Sequence, residues 1–169
     1  MPKGLKETSS LIQISADLTE SGANTFTTSQ VDLQLNPLDN EVFLVYAIDI
    51  NASTPDVNTN VASSVTASVS TTARTSVGSI ANSNVLGVAQ HNILNDGVSA
   101  VGFSQMAPER PTGAGLEYIG IISTNDFFIN LVGSNNLIAK NCQVRLYGAR
   151  ARADASVYAA LVQSEMLSS

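Results

Sequence analysis

Apolar and polar positions alternate along most of this chain in short runs, and clusters of Gly, Pro, Asn, Asp and Ser separate the runs at intervals of about eight to twelve residues. The most apolar run is EVFLVYAIDIN, Glu41–Asn51. Its length and its β-branched and aromatic content predict a strand. Turn residues bound it: Asn36, Pro37, Asp39 and Asn40 before, and Asn51, Ser53 and Pro55 after. Strict alternation would send Val42, Leu44, Tyr46, Ile48 and Ile50 to one face, and Phe43, Val45, Ala47 and Asp49 to the other. Both sets are apolar up to Asp49. A central strand covered on both sides is therefore expected, leaving the core at Asp49.

The same reading orders the rest. Residues 1–9 read as an arm. SLIQIS opens the first strand, and Asp17–Asn24 reads as a polar loop. Thr25–Leu35 ends in clean alternation, with Val31, Leu33 and Leu35 against Asp32 and Gln34. Val61–Val77 is rich in Ser, Thr, Ala and Val. Its valines at 61, 65 and 69 sit four apart, but the β-branched content favours a strand. Val85–Ile93 and Val98–Phe103 flank Asn95-Asp96-Gly97, a hairpin signature because these residues tolerate the positive φ of a tight turn. MAPERPTGAG, Met106–Gly115, reads as an exposed loop. Tyr118–Ile122, Phe127–Val132 and Leu137–Arg152 follow with short turns and predict an antiparallel meander. In the last of them Cys142, Val144 and Leu146 oppose Gln143, Arg145 and Tyr147. Asp154–Leu167 predicts a helix capped by Asp154, with Tyr158, Leu161, Val162 and Met166 on one stripe that docks on the domain's own sheet or on a neighbour.

Eight or nine short strands with one terminal helix predict an all-β fold, an antiparallel β-sandwich of eight-stranded jelly-roll type. The expected organisation is an arm over 1–9, the sandwich over 10–153, and the helix and tail over 154–169.

Composition sharpens this picture. Charged residues are only 13% of the chain, against a usual share of about 25%. Ser, Thr and Asn fill the difference. Such a surface is cheap to desolvate, because burying an unpaired charge costs far more than burying a bonded hydroxyl. That favours extensive contact with copies of the same chain; a secreted binding domain can share the composition. The net charge of −6 and pI near 4.5 disfavour general or sequence-specific nucleic-acid binding. One cysteine, Cys142, excludes an internal disulfide. The first ten residues hold no apolar core of a signal peptide, so synthesis without a secretory leader, in a host cytoplasm, is expected, and no run approaches a transmembrane segment.

Candidate chemistry is sparse. The one histidine, His91, lies in an expected strand, and no nucleophile elbow accompanies it; Gly97-Val98-Ser99-Ala100-Val101 lacks the second glycine. One Cys and one His cannot make a zinc site. Asp49, Asn51, Asp56, Asn58 and Asn60 could in principle offer oxygen to calcium, but without EF-hand spacing. No catalysis, cofactor or metal is expected. The uneven feature is basic: Lys140, Arg145, Arg150 and Arg152 are four of the eight cationic residues. They are candidate subunit-interface residues, or partners in salt bridges on the last strand.

The long strand at Glu41–Asn51, the closing strands over Tyr118–Arg152, the terminal helix and the neutral polar surface together make the chain resemble the single jelly-roll capsid proteins of tail-less icosahedral viruses. The resemblance is to a class and covers most of the chain. It implies a structural virion protein that self-assembles into a capsid shell, with copies of itself and other virion proteins as partners. With only Lys3 and Lys6 in the arm, it implies a genome packaged by a motor or enclosed in a membrane rather than neutralised by a basic tail. Two other readings stay open: a filament or appendage subunit (phage tail, fibre or pilus), and a carbohydrate-binding β-sandwich, against which the absence of Trp counts.

Overall fold

A computed structural model describes residues 3–106 and 118–168. The expected loop Met106–Gly115 lies almost wholly outside the described residues. Strand β4 (Glu41–Ala52) runs through the middle of a sheet, between β10 (Asn141–Ala153) and the three-residue β8 (Gly120–Ile122). Along its other edge β10 pairs with β2 (Ile12–Thr19) and, further on, with β1 (Leu5–Glu7). The expected arm therefore contributes a strand, and the first long strand continues to Thr19, through residues read as loop. The second sheet has the order β3-β9-β5-β6-β7, built from β3 (Thr27–Asp32), β9 (Asp126–Ser134), β5 (Ser63–Ser70), β6 (Val85–Asn95) and β7 (Ala100–Met106). All the pairings are antiparallel. Taking β1 and β2 as one interrupted strand, the two sheets have the strand order of a jelly roll, and β7 is an additional edge strand.

The last three strands are not a meander. β8 and β10 belong to the first sheet and β9 to the second, so the chain changes sheet twice. The corner between β8 and β9 is held from outside the hairpin geometry. The Glu165 carboxylate accepts from the Ser123 and Thr124 amides (2.9 and 3.1 Å), and Asn125 accepts from Leu33 and Leu35. Alternation along a strand fixes its faces but not its neighbour, which is why the short turns suggested hairpins.

Between the sheets lies the main core, which includes Phe43, Val45, Ile48, Ile50, Val65, Val69, Ile129, Leu131, Cys142 and Leu146. Phe43 and Val45 share this face with Ile48 and Ile50, which strict alternation forbids. A β-bulge resolves it: Tyr147 pairs with Ala47 and Gly148 with Val45, leaving Tyr46 as the extra residue. The bulge needs Gly148. A Cβ there would run into the Leu44 carbonyl oxygen and the Phe43 ring.

On the outer face, Leu5, Val42, Leu44, Ala151 and Ala153 form a second cluster under helix α1 (Ala155–Ser168), whose Val157, Tyr158 and Leu161 cover them. Asp154 caps the helix by accepting from the Val157 amide at 2.8 Å. The helix thus docks on its own sheet. Its stripe ends earlier than expected, since Met166 is 69% exposed. Beyond the helix the outer face is wet. Asp49 and Asn51 are exposed while Ile48, Ile50 and Ala52 stay buried, so β4 loses its second cover at Asp49 without leaving the core.

Val61–Val77 is a strand only over Ser63–Ser70. Ser68 and Ser70 point to the outer face yet are fully buried, because the following segment folds back over them. Their hydroxyls donate to the Val77 and Thr72 carbonyls (2.7 and 2.8 Å) and accept from Asn130 Nδ2. The small hydroxyl side chains of this strand are what allow this close cover.

Candidate subunit interface

One end of the sandwich is where β10 begins and where four connections gather: 20–26, 53–62, 96–99 and 135–140. Buried carboxylates and amides lace the first, second and last of these together. Glu20, 4% exposed, accepts from the amides of Thr25 (3.0 Å), Gly133 (3.0 Å) and Lys140 (2.8 Å). Gly133 has to lack a side chain, since a Cβ there would sit 2.6 Å from Asn136 Nδ2 and 3.0 Å from Glu20 Oε1. Asn136 binds across three segments: its amide donates to Asn24 Oδ1 (2.7 Å), its Nδ2 to the Ser64 carbonyl (2.9 Å), and its Oδ1 accepts from the Asp56 amide (2.9 Å). Asn58 donates to the Asn135 carbonyl, and Asn135 donates to the Ala62 carbonyl (2.8 Å). Asn24, Asn60 and Asn135 take left-handed conformations, with φ of 59°, 60° and 56°. That tolerance is the physical reason this end is rich in asparagine.

Asp56 is the second anchor. It accepts from Lys140 Nζ at 2.7 Å and from the Leu137 and Ile138 amides at 2.8 and 3.3 Å. The Lys140 bond, then those amides, hold its carboxyl below the ordinary carboxylate range.

These braced loops hold apolar side chains out into solvent. Val57 is 58% exposed, Val61 38%, Val98 96%, Leu137 71% and Ile138 63%. Leu137 and Ile138 are the residues whose amides Asp56 fixes, and the side chain of Asn60 lies against Gly97, next to Val98. Covering one such side chain completely is worth about 1.5–3 kcal/mol, and a rigid loop loses little entropy in presenting it. The arrangement is therefore suited to binding an apolar protein surface.

The four candidate interface cations do not come together. They span the length of β10, about 40 Å at ~3.3 Å per residue. Lys140 is 7% exposed and its charge meets Asp56 within the subunit. Arg150 pairs with Glu41 at 3.2 Å and donates to the Leu33 and Gln34 carbonyls (2.7 and 3.3 Å), tying the β3–β4 connection to β10. Arg152 meets Asp39 at 3.2 Å, with both side chains more than half exposed. Arg145 donates to Ser15 Oγ at 3.2 Å and borders a shallow polar depression with Asp17, Asp49, Asn51 and Gln143. Among the described residues Arg145 makes no ion pair, so it is the cation of the four whose charge stays available.

Other candidates fall apart in space. Asp49 and Asn51 lie on the wet face of β4, Asp56 and Asn58 are engaged in the lacing, and Asn60 faces Gly97. Among the described residues no three His, Cys, Asp or Glu side chains gather as a metal site. His91 Nδ1 lies 2.7 Å from Ser104 Oγ across β6 and β7. Cys142 is fully buried, and burial, with a smaller contribution from Asp17, pushes its thiol up to about 12. Sequence reasoning missed Glu20 and the exposed loop tips; the signal present was the density of Asn at 24, 58, 60, 135 and 136.

No protein-family model matches this chain, and no curated protein matches it. Among solved structures, it is similar to a chain of desmodium yellow mottle tymovirus, at 12% identity, over 90% of this chain and 92% of that one, with a TM-score of 0.32. It is also similar to the tailspike protein gp49 of Acinetobacter baumannii bacteriophage Fri1, a capsular polysaccharide depolymerase, at 10% identity, over 72% of this chain and 20% of that one, with a TM-score of 0.18. Both likenesses are weak. Among the described residues no helix is long and apolar enough to cross a membrane.

Proposed function

We propose that this chain is a structural virion protein whose copies associate, through the braced loop end among other surfaces, into a capsid shell. The observation that carries the reading is the pairing of rigidity with exposure at that end. Buried Glu20 and Asn136, with half-buried Asp56, fix the loops, and the fixed loops carry Val57, Leu137 and Ile138 outward. A monomer gains nothing from bracing apolar side chains in water, whereas an interface gains preorganisation. The low charge supports the same reading, since few ions must be desolvated when neighbours meet. The jelly-roll order of the sheets is compatible with it and with much else. The role is one of assembly and not of catalysis.

The test is negative-stain microscopy and sedimentation of the purified protein beside the double variant Leu137→Asp/Ile138→Asp. Closed particles from the wild type and folded, unassembled variant are expected. Filaments from the wild type would overturn the shell in favour of an appendage subunit. Unchanged assembly in the variant would remove the loop end from the contact.

A further inference from the structure

Sheet edges expose unpaired amides and carbonyls, and proteins that stay monomeric protect them with short strands, charges or proline. Four of the edge strands here are protected. β8 has three residues, β1 has three and carries Lys6 and Glu7, and β3 carries Asp32. β2 carries Asp17. β7 is different. It is seven residues long, AVGFSQM, without a charge or a proline, and none of residues 97–104 is charged. Among the described residues only β6 pairs with it, so its outer edge is open. Residues 100–104 are all exposed, with Val101 and Phe103 each 51% exposed. Cross-strand register places Phe103 opposite Asn92 and Val101 opposite Leu94, which is itself 50% exposed. Leu94, Val101 and Phe103 therefore make one apolar row along the hairpin.

We propose that β7 pairs antiparallel with β7 of a second copy across a two-fold axis, joining the two five-stranded sheets into one. An occupant of this edge has to bring its own strand edge, because only another backbone can satisfy the ladder. Charge selects the occupant. The β3 edge would bring Asp32 and the β2 edge Asp17 against an apolar row, whereas β7 brings none. An axis perpendicular to the sheet keeps both apolar rows on the same face, so Val101 and Phe103 of one copy meet their equivalents. A ladder this short buries less than the ~1,200–2,000 Å² of a standard interface, so the isolated pair is weak and concentration-dependent. The contact stands whether or not the subunits close into a shell.

The experiment is sedimentation velocity of wild type, Phe103→Lys, Val101→Lys and the loop-end variant Leu137→Asp/Ile138→Asp from about 1 μM to 1 mM. Dimers are expected for the loop-end variant, which forms no particles, and for the wild type below the concentration at which particles form, and both Lys variants should weaken pairing by about tenfold or more. Oxidation of Val101→Cys and Phe103→Cys adds a register readout that does not depend on affinity. At least one of them should give a covalent dimer, while Thr28→Cys on the opposite edge should not; the buried Cys142 does not interfere. Failure of shell formation with dimers retained overturns the shell reading alone. A wild type that stays monomeric over the whole range, or cross-linking equal at Thr28, overturns the β7 contact.

Discussion

Replacing Glu20 with Ala measures how much of the loop end depends on one carboxylate. The change removes the acceptor of three amides at once. Thr25 lies in an exposed connection and its amide can turn to water. The Gly133 and Lys140 amides are enclosed by the lacing and cannot. Leaving a buried donor unsatisfied costs about 1–3 kcal/mol, so two of them predict a loss of about 2–6 kcal/mol, with the lower half favoured where water enters the vacated space. For a chain of this size 1 kcal/mol moves the melting temperature by about 2–4 °C, so a loss near 3 kcal/mol lowers it by about 6–12 °C. Glu20→Gln keeps one oxygen and turns an NH2 group toward donors, so its melting point should fall between the two. Circular dichroism melts at neutral pH give the ranking. Assembly yield, measured at a temperature where every variant is folded, shows whether the loops must be fixed in order to bind. A Glu20→Ala protein melting within about 2 °C of wild type would refute the bracing argument, because the deleted acceptors would then be carrying under 1 kcal/mol.

Gly148→Ala should destabilise by at least the ~1–3 kcal/mol of an overpacked core, because the added methyl meets backbone and not only a movable ring. Adding Phe43→Leu should not restore stability, and Gly102→Ala, with its nearest neighbour 3.9 Å away, serves as the neutral control; equal melts for the two glycine variants would exclude the bulge constraint. Asp56 predicts an acid-sensitive end. Its folded carboxyl titrates below the unfolded one, so its contribution is complete above the unfolded value, roughly pH 4, and is lost as pH falls through the lower folded value. Asp56→Asn should be less stable than wild type at pH 7 and converge with it under acid, and parallel stability curves from pH 7 to pH 2 would contradict this.

Much of the architecture is legible in the residues, and the gaps have physical causes. The alternation at Cys142–Tyr147 follows directly from period-two patterning, the apolar run Glu41–Asn51 marks a strand covered on both sides as far as Asp49, and Asn95-Asp96-Gly97 marks its hairpin through backbone tolerance. The bulge at Tyr46 was hidden because an apolar residue fits the pattern on either face. The sheet changes around β9 were hidden because partner choice depends on residues far away, such as Glu165 and Asn125. At the loop end, Lys140 and Asp56 were visible as charges, but their pairing spans 84 positions, a separation that no local pattern reports. Arg150 and Arg152 were legible as salt-bridge partners on the last strand; the identities of Glu41 and Asp39 were not.

The position of β10 has a consequence for how the chain reaches its fold. Residues 141–153 pair with strands that begin at residues 5, 12 and 41, so the first sheet has no centre until residues 141–153 have been made. Loops of this length must close before any of those ladders contributes, which places the protein among slow, high-contact-order folders. Until that strand arrives, β2 and β4 lack the partner that pairs their edges, and unpaired edges make such intermediates prone to aggregate. The same delay acts as a checkpoint: a chain that stops short of residue 141 lacks the strand from which the loop end is hung, and cannot present a finished contact surface to its neighbours.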